Sequence, residues 1–223
     1  EVVHQIQFHK RRDIDRNRRT DVTLLINGLP MIHIELKNRA HSTKEAFNQI
    51  QKYIDEQMFN GIYSTIQMFV VSNGTYTQYI AAGQQLREKF LTNWVDENNK
   101  PVQNYLDFAR DVLSIPQAHH MIADYIVLDS IQHNIIVLRP YQIHAIQAIE
   151  RASAGLKDDD KWDSAYSGFV WHTTGSGKTL TSYKVAHNLL KIPSIEKTVF
   201  LIDRNDLDTQ TSQAFETYAQ NDS

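Results

Sequence analysis

The chain has no cysteine. Disulfides and thiolate metal sites are excluded, and the composition fits a reducing compartment. No apolar run reaches the ~18 residues that a membrane span requires, and the polar, charged start lacks the plan of a secretory signal peptide. Positive charge is not in excess: Lys and Arg total 23 against 26 Asp and Glu, a net charge of -3, so no bulk field advertises nucleic acid. There is no His-Glu-x-x-His zinc helix and no Gly-x-Ser-x-Gly elbow, which leaves serine or cysteine nucleophilic catalysis without support. His4, His9, His33, His41, His119, His120 and His133 show no metal-ligand spacing. Internal repeats and low-complexity segments are also missing.

What is present is a chain of 223 residues, 41% hydrophobic and 22% charged, which suits a globular protein of one to one and a half domains. It starts at Glu1 and stops soon after its richest motif, and reads as a fragment truncated at both ends. Charge is uneven. Lys10, Arg11, Arg12, Arg16, Arg18 and Arg19 crowd the first twenty residues. That arm is either a phosphate-backbone contact or a solvated loop.

The richest motif runs from His172 to Thr179. It follows the apolar stretch Gly168–Trp171, expected as a strand, and precedes a helical pattern, Leu180–Leu190. Strand, glycine-rich turn and helix is the context of a phosphate-binding loop. Thr174, Gly175, Ser176 and Gly177 would wrap an anion with backbone N–H groups, helped by the positive end of the helix. Lys178 would reach the β- and γ-phosphates of ATP, and Thr179 would hold its Mg2+. The usual pattern has Gly or Ala where this chain has His172.

Upstream, Val22–Ile26 and Met31–Leu36 read as a hairpin about the turn Asn27–Pro30. Lys44–Met58 reads as a helix with Ala46, Ile50, Tyr53, Ile54 and Met58 on one face, and Met68–Ser72 and Thr75–Ala81 as further strands. Residues 84–128 look mostly helical, 129–138 a connection. A helix from Arg139, with Pro140 in its first turn, is expected to bury Tyr141, Ala145, Ala148 and Ile149. Leu156–Ser164, with the run Asp158–Asp160, reads as a loop, and Thr198–Ile202 as a strand.

A second constellation lies on the hairpin. Glu35 and Lys37, two apart on a strand, project from one face, and Asp21 sits at the same open end. Two carboxylates and a lysine can hold Mg2+ and stabilise a developing oxyanion, as phosphodiester hydrolysis demands. A structural Glu–Lys pair on the strand also explains the spacing. Gln49 and Tyr53 follow on one face of the next helix; for Tyr53 packing into the core is the ordinary role.

Together these motifs resemble the restriction (R) subunit of type I restriction–modification enzymes. Asp21, Glu35-Leu-Lys37 and Gln49-x-x-x-Tyr53, with Asn27–Pro30 ahead of them, look like the RecB-like variant of the PD-(D/E)xK nucleases. Leu138–Gln142 resembles the Q-type motif of superfamily 2 motors, in which Gln142 would bind adenine, and His172–Thr179 resembles their first motif. Asp203–Gln210 is similar to a later, DNA-facing motif, with Arg204 as a contact. The order, nuclease before motor, separates this family from type III subunits.

The resemblance implies an α/β protein: a PD-(D/E)xK domain with a mixed sheet flanked by helices (residues 1–128), a linker (129–138) and the first part of a RecA-like P-loop domain (139–223). It implies an ATP-dependent translocase and Mg2+-dependent endonuclease acting on unmethylated double-stranded DNA in a bacterial or archaeal cytoplasm. Methyltransferase (M) and specificity (S) subunits would be the partners, with no membrane. Asp21 and Glu35 would bind Mg2+, Lys37 would stabilise charge, Gln49 and Tyr53 would support the site or touch DNA, and Arg18, Arg19 and Arg204 would contact DNA. The acidic Walker B motif and the second motor lobe are not in the chain, so the fragment alone is expected to be inactive. The rivals are a RecB-like helicase-linked repair nuclease, which needs free DNA ends, and a DNA-binding scaffold attached to an ATPase.

Overall fold

Two consecutive residues with positive φ, Asn27 (51°) and Gly28 (81°), close the hairpin around which the N-terminal unit is built. Left-handed backbone at both central positions makes a two-residue type I′ turn, whose twist matches that of the flanking strands. Strand pairing therefore resumes at Leu29, earlier than the sequence pattern suggests, and Pro30 lies in the strand opposite Leu25, beside a register shift between Leu24 and Leu25. The protein is seen in a computed structural model that describes residues 1–10, 16–83, 86–154, 167–202 and 205–219. It divides into two units, Glu1–Ala123 and Asp124–Ser223.

The first unit runs β1 (Val2–His4), β2 (Gln7–Phe8), β3 (Arg18–Arg19), β4 (Val22–Ile26), β5 (Leu29–Leu36), α1 (Thr43–Asp55), β6 (Met68–Ser72), β7 (Thr77–Ala81), β8 (Thr92–Asn93), α2 (Tyr105–Phe108) and α3 (Gln117–Ala123). Six strands form one mixed sheet in the order β1-β4-β5-β6-β7-β8. Only β5 and β6 pair in parallel, and α1 lies in the crossover between them. Helix α1 begins after Ser42, whose backbone N–H is met by the Glu45 side chain three residues on. Its buried face of Ala46, Phe47 and Ile50 packs on Phe69, Val71 and Ile80 of the sheet.

The opposite face is covered as well. Tyr79 lies 6.3 Å from the Trp94 ring and 6.4 Å from Phe108, centroid to centroid. Burial is consequently continuous from Ile32 to Glu35 on β5. The period of two sends Ile32 and Ile34 to one side, and His33 and Glu35 to the side that α1 covers.

Residues 84–128 are not mostly helical. Among the described ones, a 3-10 turn (Glu88–Phe90), the short β8 and the paired Val95 and Pro101 precede α2, a π-helical turn (Ala109–Leu113) and α3. Buried Trp94, Phe108 and Val112 set their course by packing, without a helical period.

The second unit opens on a hairpin, β9 (Ile126–Asp129) and β10 (Asn134–Val137), whose first strand lies almost wholly in the stretch expected to be helical and whose second lies in the one expected as a connection. Next come α4 (Pro140–Ala154), α5 (Lys178–Leu189) and α6 (Asn205–Ala219). Proline opens α4 as expected, but the buried face is Gln142, Ile143, Ala145 and Ile146, while Ala148 is exposed. The other correction concerns Gly168–Trp171 and Thr198–Ile202, neither of which is a strand. Both are apolar enough, yet among the described residues no ladder partner pairs with them, and strands without partners are not stable in water. Phe169 and Leu201 are 88% and 92% exposed. Leu156–Ser164 lies outside the described residues, as do Asp203 and Arg204.

Ile50 is fully buried where α1 meets the sheet. Ile50→Ala should destabilise the protein by about 2–4 kcal/mol, whereas Leu106→Ala, at an exposed position, should stay within about 0.5 kcal/mol. Urea unfolding followed by fluorescence measures both.

Candidate functional site

Strand β5 and helix α1 bring four side chains named from sequence, Glu35, Lys37, Gln49 and Tyr53, into one hydrogen-bonded chain, with Asp21 beside it. Glu35 is fully buried, and its Oε1 accepts from Lys37 Nζ at 3.0 Å. The same ammonium donates to Gln49 Oε1, and the Gln49 amide donates to the Tyr53 hydroxyl. Tyr53 donates in turn to the Arg19 carbonyl at 3.1 Å. Asp21 closes the set: the register that pairs Val22 with Ile34 sets it across from Glu35, and its Oδ2 accepts from the Leu36 backbone N–H at 2.8 Å.

The electrostatics follow from this packing. Burial is the main reason that the Tyr53 phenol is pushed up to about 12, and the negative charges of Glu35 and Asp21 add to it. Tyr53 therefore stays a donor, tied to Arg19, and its 2% exposure leaves nothing to offer DNA. Tyr53 and Gln49 are thus placed to hold Lys37 from behind. Two carboxylates with no thiolate nearby are the donor chemistry of a hard divalent cation, which takes its remaining ligands from water and phosphate. Glu35 Oε2 is buried without a hydrogen-bond partner and lies 3.5 Å from His33 Nε2. The donor set fits Mg2+, although no group of three or more acidic, histidine or cysteine side chains gathers among the described residues.

The basic arm divides. Arg18 is committed to Glu56, which receives both its Nε and Nη2, with side-chain exposures of 9% and 13%. The arginine beside it holds the Glu56 carboxyl below its usual range. Arg18, named from sequence as a DNA contact, here braces β3 against the end of α1 through this largely buried ion pair. Arg19 is exposed. Arg11, Arg12 and Arg204 lie outside the described residues.

In the second unit the turn before α5 has Gly175 and Gly177 at φ of 72° and 79°. Thr174, Gly175 and Lys178 are exposed, so the loop is open to an anion. Lys178 Nζ rests on the Thr173 carbonyl at 2.9 Å. The residues behind the loop are those of the Leu138–Gln142 motif. Tyr141 donates to the Ser176 carbonyl at 2.8 Å and packs edge-on to His172 at 5.3 Å. Gln142, 3% exposed, takes the Arg139 N–H on Oε1 and gives Nε2 to Thr181 Oγ1 at 3.1 Å and to the Gly177 carbonyl at 3.3 Å. Both ends of this amide are spent on the protein, so here it braces the loop and does not present itself to an adenine.

Sequence reasoning missed His33, Thr23 and Tyr141. His33 has no metal-ligand spacing; its place two residues before Glu35 on the same strand face is the available signal. Tyr141 was assigned to an apolar face, and nothing in its spacing marked a tie to Ser176.

The first 88 residues match the family model described as the N terminus of the type I restriction enzyme R protein, and residues 135–223 match that of the type III restriction enzyme res subunit. The chain is 37% identical over 203 residues to the SauCOLORF180P endonuclease subunit of a type I restriction enzyme from Staphylococcus aureus (strain COL), covering 91% of this chain and 21% of that protein. It is 39% identical over 137 residues to the EcoprrI endonuclease subunit from Escherichia coli, covering 59% and 43%. To the HindI endonuclease subunit from Haemophilus influenzae it is 30% identical over 230 residues, covering 96% and 21%. The chain thus spans about a fifth of the staphylococcal relative's length. Among the described residues no helix is long and apolar enough to cross a membrane.

Two predictions follow from these geometries. A folded-state phenol raised from 10 to about 12 holds its proton longer than the unfolded one; its contribution is complete below pH 10 and is lost as pH rises through 12. Unfolding measured between pH 10 and 12 should show falling stability, with a shallower fall in Tyr53→Phe. Secondly, a Cβ on Gly177 would stand 2.9 Å from Gln142 Nε2, at a φ that alanine resists. Gly177→Ala should weaken binding of a fluorescent ATP analogue about tenfold, in line with the ~1–3 kcal/mol of such strain.

Proposed function

The chain belongs to the family of type I restriction enzyme R proteins, and we propose that its first unit is the PD-(D/E)xK endonuclease site and its second the start of the RecA-like ATP-driven motor. The observation that carries this reading is the single network of Glu35, Lys37, Gln49 and Tyr53, with Asp21 at its open end. A surface Glu–Lys pair needs no helix to hold it, and a fully buried carboxylate is too costly to keep for decoration.

Asp21 and Glu35 would hold Mg2+, which supplies positive charge to a phosphodiester and activates water for its attack. Lys37, fixed between Glu35 and Gln49, places an ammonium where negative charge develops on the phosphate. Gln49 and Tyr53 keep that ammonium in place. In the second unit the loop N–H groups, Lys178 and Thr179 would hold ATP and its Mg2+, with Gln142 and Tyr141 fixing the loop from behind. ATP hydrolysis would draw double-stranded DNA past the nuclease, and Arg19 and Arg204 are the candidate DNA contacts. Sequence specificity would come from partner methyltransferase and specificity subunits.

The test uses the full-length protein with its partner subunits and unmethylated circular DNA, in ATP and Mg2+. Lys37→Ala should cut about 100- to 1,000-fold more slowly, the usual cost of removing one charge-stabilising group, and should keep its ATPase. Lys178→Ala should lose both activities. If Lys37→Ala cuts like wild type, the hairpin is a scaffold and the nuclease lies elsewhere. A requirement for linear DNA would instead favour an end-dependent repair nuclease.

A further inference from the structure

On β5, His33 shares a face with Glu35 and Lys37 and is itself fully buried. Three rings hold the imidazole in place: Phe59 at 5.2 Å, Phe69 at 6.2 Å and Tyr53 at 6.4 Å between centroids. Nδ1 meets the Thr23 hydroxyl at 3.2 Å across the hairpin. Nε2 looks at Glu35 Oε2 from 3.5 Å. Neither of those last two atoms has a hydrogen-bond partner, and both are buried.

The tautomer follows from these neighbours. An ionised carboxylate only accepts, so a bare Nε2 lone pair would face another lone pair in a site that water cannot screen. With the proton on Nε2 the imidazole becomes a donor aimed at Glu35, and Nδ1 accepts from the Thr23 hydroxyl. A movement of a few tenths of an ångström closes the Nε2–H to Oε2 bond, and two buried polar atoms without partners favour that movement. Lys37 already holds Oε1. A donor on Oε2 would fix the plane of the carboxylate.

Resting on the nuclease reading of this site, we infer that His33, set by Thr23, is a positioning residue that orients the Glu35 carboxylate for the divalent cation. It acts as partners behind metal ligands generally do, by fixing the ligand's orientation and basicity. His33 touches neither substrate nor cation. The chemistry it serves is that of a hard divalent ion, for which Mn2+ is the paramagnetic probe.

The experiment is a Mn2+ titration of the nucleotide-free, full-length protein, read by electron paramagnetic resonance. The site is defined as the binding lost in Glu35→Gln, and thermal unfolding is recorded for every variant. His33→Leu and Thr23→Val should each weaken that site about tenfold, the lower end of the cost usual for a lost ligand partner. His33→Gln, whose amide nitrogen falls near the imidazole Nε2, should stay within about threefold of wild type. A structural role alone would lower the unfolding temperature of all three variants and leave the ranking of Mn2+ affinities flat. The inference is overturned if His33→Leu binds like wild type, or if His33→Gln binds no better than His33→Leu. Should His33→Leu fail to fold, wild-type affinity in Thr23→Val overturns it. Wild-type protein without any Glu35-dependent Mn2+ binding sinks the metal-site reading itself, an outcome distinct from the loss of the His33 role.

Discussion

A carboxylate with no exposed surface is the constraint on which the N-terminal unit turns. Placing Glu35 at the centre of a sheet removes it from water, at a cost of several kcal/mol even after relaxation. What offsets that cost is local and directional. Lys37 comes from the same strand two residues on, and Gln49 keeps its ammonium in reach. Gln49 is useful only if α1 sits at one rotation about its axis, which the burial of Ala46, Phe47 and Ile50 imposes. Tyr53 then ties the helix to the Arg19 carbonyl, and Arg18 ties its far end through Glu56. Packing and polar chemistry ask for the same arrangement, as in a sequence with little internal conflict.

Much of this was legible from sequence because the signals were local. The Asn-Gly turn, the alternation of β5 and the three-and-four spacing of α1 each follow from backbone geometry. The positions of Asp21, Glu35, Lys37, Gln49 and Tyr53 followed from those elements. The region after Gly83 was less readable because Trp94, Phe108 and Val112 take their places by packing on the sheet, and their spacing follows no period. The helix α4 shows a different failure. Counting apolar residues chose Tyr141, Ala148 and Ile149, whereas the buried face includes a glutamine that has partners for both ends of its amide. The pairing of Arg18 is hidden from sequence for a similar reason, since its partner Glu56 lies far along the chain.

The phosphate loop separates what a motif encodes from what a fold supplies. Its two left-handed glycines and the helix that follows are local properties, and they are present. The flanking apolar stretches need neighbours to become strands, and Phe169, Trp171, Val199 and Leu201 remain largely exposed. A cavity of about 320 Å3 lies between these stretches and α5, lined by Val170, Val185, Leu189 and Phe200. Loop conformation is thus held by Tyr141 and Gln142 even where the sheet is not formed.

Alternation also makes parity a rule for the second half of β5. Counting starts at Ile32, past the register shift, and every odd-numbered residue from His33 to Lys37 faces α1. A single inserted or deleted residue between Ile32 and Glu35, beyond the register shift, would exchange the two sides of the strand, sending Ile34 toward Gln49 and the carboxylate among Met68, Val70 and Tyr79. Length changes in that stretch would be tolerated only in pairs. Because the strand pairs on both edges, an odd change could not be absorbed by sliding, and the hairpin works as a two-state code for which side of the sheet carries the charge.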